Sequence, residues 1–182
     1  MKRNVWLTLI LTFGIVAAAW GQQSADSRLP LDATMKFLQE KLNEQGKMNW
    51  TTLYHDSADS SNWSYTFTFE VAHVSADAAT CSVGYHYKVT RDSAVLGERD
   101  AQFNLHDVQN LTLIPAEQRQ KKNDLAAGHT TWSAKVNPPM FDLIVQAKEH
   151  AEFYFLLRDE DTANRVSKAM KHAVELCGGS RP

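Results

Sequence analysis

Trp63-Ser64-Tyr65-Thr66-Phe67-Thr68-Phe69-Glu70-Val71 alternates without a fault, with every odd position aromatic or aliphatic and every even position polar. A period of two places successive side chains on opposite faces of a strand, so this segment predicts one buried face and one wet face. That pattern belongs to an antiparallel sheet covered on one side only. The parity slips at Ala72-His73-Val74, which predicts a bulge. On the N-terminal side, Met48, Trp50, Thr52 and Tyr54 share the same alternation, separated from it by the turn-rich stretch Asp56 to Asn62. On the C-terminal side, Cys81, Val83, Tyr85, Tyr87 and Val89 form the inward row of a third strand. Arg91-Asp92-Ser93 turns the chain into a fourth strand ending at Ala101, Phe103 and Leu105. A short fifth strand runs from Val108 to Ile114 and is closed by Pro115.

Residues 116–130 (AEQRQKKNDLAAGHT) break this rhythm. They read as a polar, mobile connection with one helical turn at Ala116 to Lys122. Trp132, Ala134 and Val136 restore a strand, Pro138-Pro139 interrupts it, and Phe141, Leu143 and Val145 resume it. Phe153, Phe155 and Leu157 mark the last strand. Helices flank the strands. Met35, Leu38 and Leu42 recur at three and four residues after Asp32, read as the N-cap, and Gly46 supplies the stop. The C-terminal helix begins at the N-cap Asp159, carries the apolar stripe Ala163, Val166, Met170, Ala173, Val174 and Cys177, and ends at Gly178-Gly179. The expected class is mainly β (α+β), with about seven antiparallel strands, a capping C-terminal helix and an extra N-terminal helix packed outside.

Ahead of this unit lies an address. Met1-Lys2-Arg3 is a short basic start, Val5 to Val16 is apolar, and Ala19 and Gly21 are spaced for cleavage before Gln22, with a cut after Ala19 fitting nearly as well. The apolar run is short for a membrane span. The expected organisation is a signal peptide at 1–21, a polar linker at 22–30, one domain at 31–179 and a tail at 180–182. The expected location is periplasmic or extracellular, with no membrane span in the mature chain. Such a leader removes Lys2 and Arg3 and no acid, moving the formal charge from −2 to −4. A mildly acidic domain is poorly suited to nucleic acid or anionic membranes, both of which reward clustered Lys and Arg. The chain has two cysteines, Cys81 and Cys177. In an oxidising compartment an even count favours a disulfide, and both positions fall on apolar rows that point into the core. Two buried free thiols are the alternative.

Strands in meander order followed by one capping helix resemble the pleckstrin-homology-like domains. The junction Phe103-Asn104-Leu105-His106-Asp107-Val108 looks like their passage from the fourth strand to the fifth. The ending Asp159 to Gly179 (DEDTANRVSKAMKHAVELCGG) is similar to that of small uncharacterised exported bacterial proteins with this fold. The resemblance implies a pleckstrin-homology-like barrel over about Met48 to Cys177. It does not imply phosphoinositide binding. The loop between the first two strands, His55 to Asn62, holds two aspartates and no Lys or Arg, whereas clustered phosphates need basic pairing. A cystatin-like sheet wrapped on the N-terminal helix is the competing fold, with Met35, Leu38 and Leu42 as its main helix-to-sheet contact.

No motif announces catalysis. Seven histidines are present, yet none sits in an H-x-H or H-E-x-x-H spacing, so no metal site is expected. There is no G-x-S-x-G elbow, no phosphate-binding glycine loop and no dinucleotide fingerprint, and no cofactor is implied. Asn49, Asn62 and Asn110 begin glycosylation sequons that matter only in a eukaryotic secretory route. The expected function is an exported, non-catalytic binding or interaction module. Its partner surface is placed at residues 116–139, with Trp132, Arg119, Lys121 and Lys122 as candidate contacts. The rival is a carrier of a small apolar ligand or lipid between the sheet and the C-terminal helix. The two differ in whether the Trp63 and Tyr85 rows fill the interior or line a cavity.

Overall fold

The computed structural model describes residues 30–179. The expected leader, all of the linker except Pro30, and the tail lie outside the described residues. The elements are α1 (Leu31–Gln45), β1 (Lys47–Asp56), β2 (Asn62–Asp77), β3 (Ser82–Arg91) and β4 (Ala94–Asn104). A single turn of tight helix at Leu105–Asp107 leads to β5 (Val108–Pro115), α2 (Ala116–Ala126), β6 (Trp132–Asn137), β7 (Phe141–Ala147), β8 (Glu152–Leu157) and α3 (Glu160–Leu176). Among the described residues no helix is long and apolar enough to cross a membrane.

The strands form two antiparallel sheets, ordered β4-β3-β2-β1-β6 and β5-β7-β8. This corrects the expected barrel: eight strands, not about seven, lie in two sheets that do not close on each other. Neither edge of the first sheet, β4 or β6, pairs with an edge of the second, β5 or β8. Leu105 and Val108, both fully buried, anchor the turn after β4 in the core, and beyond it β5 pairs with β7 of the second sheet. The segment expected to be one interrupted strand is two strands in different sheets. Pro138 and Pro139, which cannot donate to a ladder, stand between β6 on the edge of the first sheet and β7 in the middle of the second. The expected mobile connection is also corrected: the helical turn expected at Ala116 to Lys122 is present and continues to Ala126 as α2.

The alternation of Trp63 to Val71 is realised in β2, and the register breaks between Ala72 and Ser75 with His73 at φ +53°. The bulge is held from outside. Asn43 on α1 accepts from the Val74 amide at 3.1 Å and donates to the Val74 carbonyl at 3.2 Å. Opposite it, Gly84 leaves room that a side chain would take, since a Cβ there would stand 3.0 Å from the Ser75 Oγ.

The core lies between the sheets and under α1 and α3. Phe103 meets Phe153 at 4.8 Å between ring centres and Tyr85 meets Phe155 at 4.6 Å, which joins the two sheets. Met35, Leu38 and Leu42 are buried, as are Val166, Met170, Ala173 and Val174, and α1 packs on both β2 and α3. Asp32 is not the N-cap of α1: the helix starts after Pro30, and Asp32 sits exposed in its first turn. Asp159 does cap α3, accepting from the Thr162 amide at 2.7 Å. Arg158 ties the two helices' ends together by donating to the carbonyls of Gln45 (2.6 Å) and Lys47 (2.9 Å). Cys81 and Cys177 are joined by a disulfide that spans 96 residues of sequence, with their Cα atoms 5.9 Å apart. Cys81 sits in the turn just before β3 rather than within the strand.

Candidate functional site

The inward rows of β1 to β4 do not fill all of the space beneath them. Register pairs Trp50 with Phe67, Phe69 with Val89, Tyr87 with Arg99, and Tyr85 with Ala101, so these side chains share one face. Facing them are Phe153, Tyr154 and Leu156 of β8, Asp142 of β7, and Ala116, Arg119, Gln120 and Asn123 of α2. A cavity of about 360 Å³ remains between the two walls. Tyr85 and Asp142 are among its buried members, with Thr52, Phe69, Val136 and Leu156, while the exposed Leu96, Arg99, Asn123 and Glu152 mark the mouth. Ring pairs stiffen the aromatic wall, with Trp50 stacked on Phe67 at 5.3 Å and Phe69 on Tyr87 at 6.1 Å.

Polar groups interrupt this wall at a few positions. On one side Arg119 Nε donates to Asp142 Oδ2 at 2.9 Å, and its guanidinium lies 5.4 Å from the centre of the Tyr154 ring. Tyr154 in turn donates its hydroxyl to Glu152, which also accepts from Gln146 at 2.9 Å. These two hydrogen bonds hold the Glu152 carboxyl below its ordinary range. Burial, and then Glu152, push the Tyr154 phenol up to about 12, and burial raises Tyr85 as well. Both phenols are therefore neutral at physiological pH.

Asp142 is 1% exposed, and its pKa is raised because burial outweighs the attraction of Arg119. A carboxyl raised on folding contributes stability that is complete below its unfolded pKa and is lost as pH rises through the folded value. Removing Arg119 takes away the opposing attraction and raises the folded value further. Arg119→Ala is therefore expected to cost about 3 kcal/mol at neutral pH. The cost should be much smaller near pH 4, close to the ordinary carboxyl pKa. Urea unfolding at the two pH values checks this, and an equal loss at both would show that the pair is not electrostatic.

The other sequence candidates lie elsewhere. Trp132 is half-buried in a separate cluster, 4.9 Å from Trp63 and 3.5 Å from the stacked His129 ring, and its indole donates to Asp56 at 3.0 Å. Tyr54 stacks on Trp63 in the same cluster, its phenol raised to about 12 by burial and then by Asp124. Asp124 itself is buried on α2. One of its oxygens accepts from Gln120 at 2.8 Å, and the other has no hydrogen-bond partner among the described residues. Lys121 and Lys122 are exposed on α2 and do not line the cavity. The structure thus brings Arg119 to the cavity and leaves Trp132, Lys121 and Lys122 outside it. The aromatic rows divide in the same way: Tyr85 lines the cavity, and Trp63 fills a cluster.

Sequence reasoning missed Arg99, Asp142 and Glu152. For Arg99 a signal was present, since it shares the odd parity of Ala101 and Phe103 and so belongs to the inward row of its strand. The cavity also lies under α2, not against α3, whose apolar stripe is packed solid. Among the described residues no three His, Cys, Asp or Glu side chains are grouped so as to hold a metal ion. No family model, curated protein or solved structure matches the chain.

Proposed function

We propose that this chain is an exported, non-catalytic binding module that carries a small apolar ligand between its two sheets. The aromatic-walled cavity of about 360 Å³ carries this reading, because its volume falls in the range of small-molecule sites and its lining is mostly apolar with few polar groups. The disulfide suits export to an oxidising compartment. The pleckstrin-homology-like reading also belongs here. It is supported by β1 to β4 as one meander, β5, β7 and β8 as a second, and α3 last, with α2 and β6 as an insertion that extends the first sheet. Folds of that kind serve many functions, so the cavity rather than the architecture names the activity. A protein partner at α2 is the second reading, favoured by the exposed Lys121, Lys122 and Leu125 on its outer side.

The test uses N-phenylnaphthylamine, a neutral apolar dye that brightens when buried. The protein should raise its emission saturably. Ala101→Phe, which places a ring in the cavity from β4, should weaken binding at least tenfold while the melting temperature stays within a few degrees. Absence of binding by the native chain would overturn the carrier reading, as would unchanged binding by the variant.

A further inference from the structure

We propose that the ligand of this cavity is an apolar acid whose anionic head is held by Arg99 at the mouth. The inference rests on the carrier reading and names the ligand's chemistry. Four charged side chains line the cavity: Arg99, Arg119, Asp142 and Glu152. Arg119 and Asp142 neutralise each other at 2.9 Å. Glu152 has one carboxylate oxygen accepting from Gln146 and the other from Tyr154. Arg99 differs from all three. Its Nε donates to the Tyr87 hydroxyl at 2.5 Å, its guanidinium carbon lies 5.5 Å from the centre of that ring, and among the described residues no carboxylate pairs with it. A guanidinium has five N–H donors, and here one is used.

Arg99 is positioned for this role. It stands opposite Tyr87 on the inward face of β4, between the aromatic wall and solvent. The Tyr87 contact fixes the guanidinium by its Nε and ring face, which leaves the terminal nitrogens for a two-point grip on a carboxylate. An apolar tail would then run inward past Tyr87 toward Tyr85 and Leu156, while its head stays at the rim. A charged head at the floor would instead leave water to meet a guanidinium already paired with Asp142 at 2.9 Å, with no free cation to offset its desolvation.

The experiment displaces N-phenylnaphthylamine from the native chain with decanoate, decanol and decylamine, which share one chain and differ in head charge. Decanoate should displace the dye at a concentration at least tenfold below that of decanol, and decylamine should be no better than decanol. Arg99→Gln should bring the decanoate and decanol values together, each read against that variant's own dye affinity, and Arg99→Lys should keep part of the preference. Equal displacement by decanoate and decanol in the native chain overturns the proposal, and so does a preference that survives Arg99→Gln. Preference for decylamine would overturn it in favour of Glu152. If Arg99 only guards the edge of β4 against pairing, Arg99→Gln would promote self-association and leave the decanoate preference intact, which also overturns it. Failure of the dye itself to bind is the distinct result that removes the carrier reading beneath.

Discussion

Val166→Asp is expected to abolish cooperative folding. Val166 lies in the middle of the buried stripe of α3 and is fully buried, between Ala163 one turn before and Met170 one turn after, both equally buried. The substitution removes the apolar contacts of an isopropyl group and puts a carboxylate in their place. The core around it is apolar, so the carboxylate must either stay charged without a partner or take up a proton at neutral pH. Losses of this kind exceed about 4 kcal/mol. Total stabilities are about 5–15 kcal/mol, so such a loss leaves little or no folded protein. Asn164→Asp supplies the control, since it adds the same charge on the exposed side of the same helix and should change stability by less than about 0.5 kcal/mol. Thermal unfolding followed by circular dichroism separates the two. A Val166→Asp protein that melts cooperatively near the native temperature would mean that α3 does not cover the core.

What the residues disclosed depended on whether one face alone was buried. β2 and α3 were legible for that reason: each has one apolar row and one polar row, and the bulge at His73 appeared as a slip between them. The full length of α2 was not legible because it has no apolar stripe to find, with only Ala116 and Asp124 buried. Its Glu, Gln, Arg and Lys residues favour a helix by intrinsic preference, and that weak signal supports one turn at Ala116 to Lys122 but not its continuation to Ala126. Asp142 was missed for a different reason. β7 alternates from Leu143 to Ala147, with Ile144 and Gln146 half-buried on its other face, and Asp142 on that face is buried only where Arg119 of α2 covers it, a contact that strand alternation does not report. The failure of barrel closure was not written in any single strand. Alternation states which side of a strand is buried, and says nothing about which edge finds a partner. The cavity follows from that missing information, because it lies where the two sheets part beneath α2.

Replacing both Cys81 and Cys177 with alanine is expected to cost about 4–5 kcal/mol, the amount that chain-entropy reasoning assigns to a cross-link between residues 96 apart. For a chain of this size the melting temperature should fall by about 10–20 °C. The source of the loss can be separated from its size. The bridge joins the C-terminal end of α3 to the turn before β3, and that turn has a second anchor, the Leu105 amide donating to the Cys81 carbonyl at 2.8 Å. The helix is likewise held along its length by Val166, Met170, Ala173 and Val174, all fully buried. The native packing should therefore survive the double substitution, and the main change should be in the unfolded chain, which becomes less compact and exposes more surface. Urea unfolding then has a distinguishing outcome: the midpoint falls while the slope against denaturant rises. Near-ultraviolet circular dichroism of the folded variant should match that of the native protein. A lower midpoint with an unchanged slope and an altered near-ultraviolet spectrum would place the contribution of the bridge in the folded state, with the last turn of α3 and the start of β3 losing their contacts.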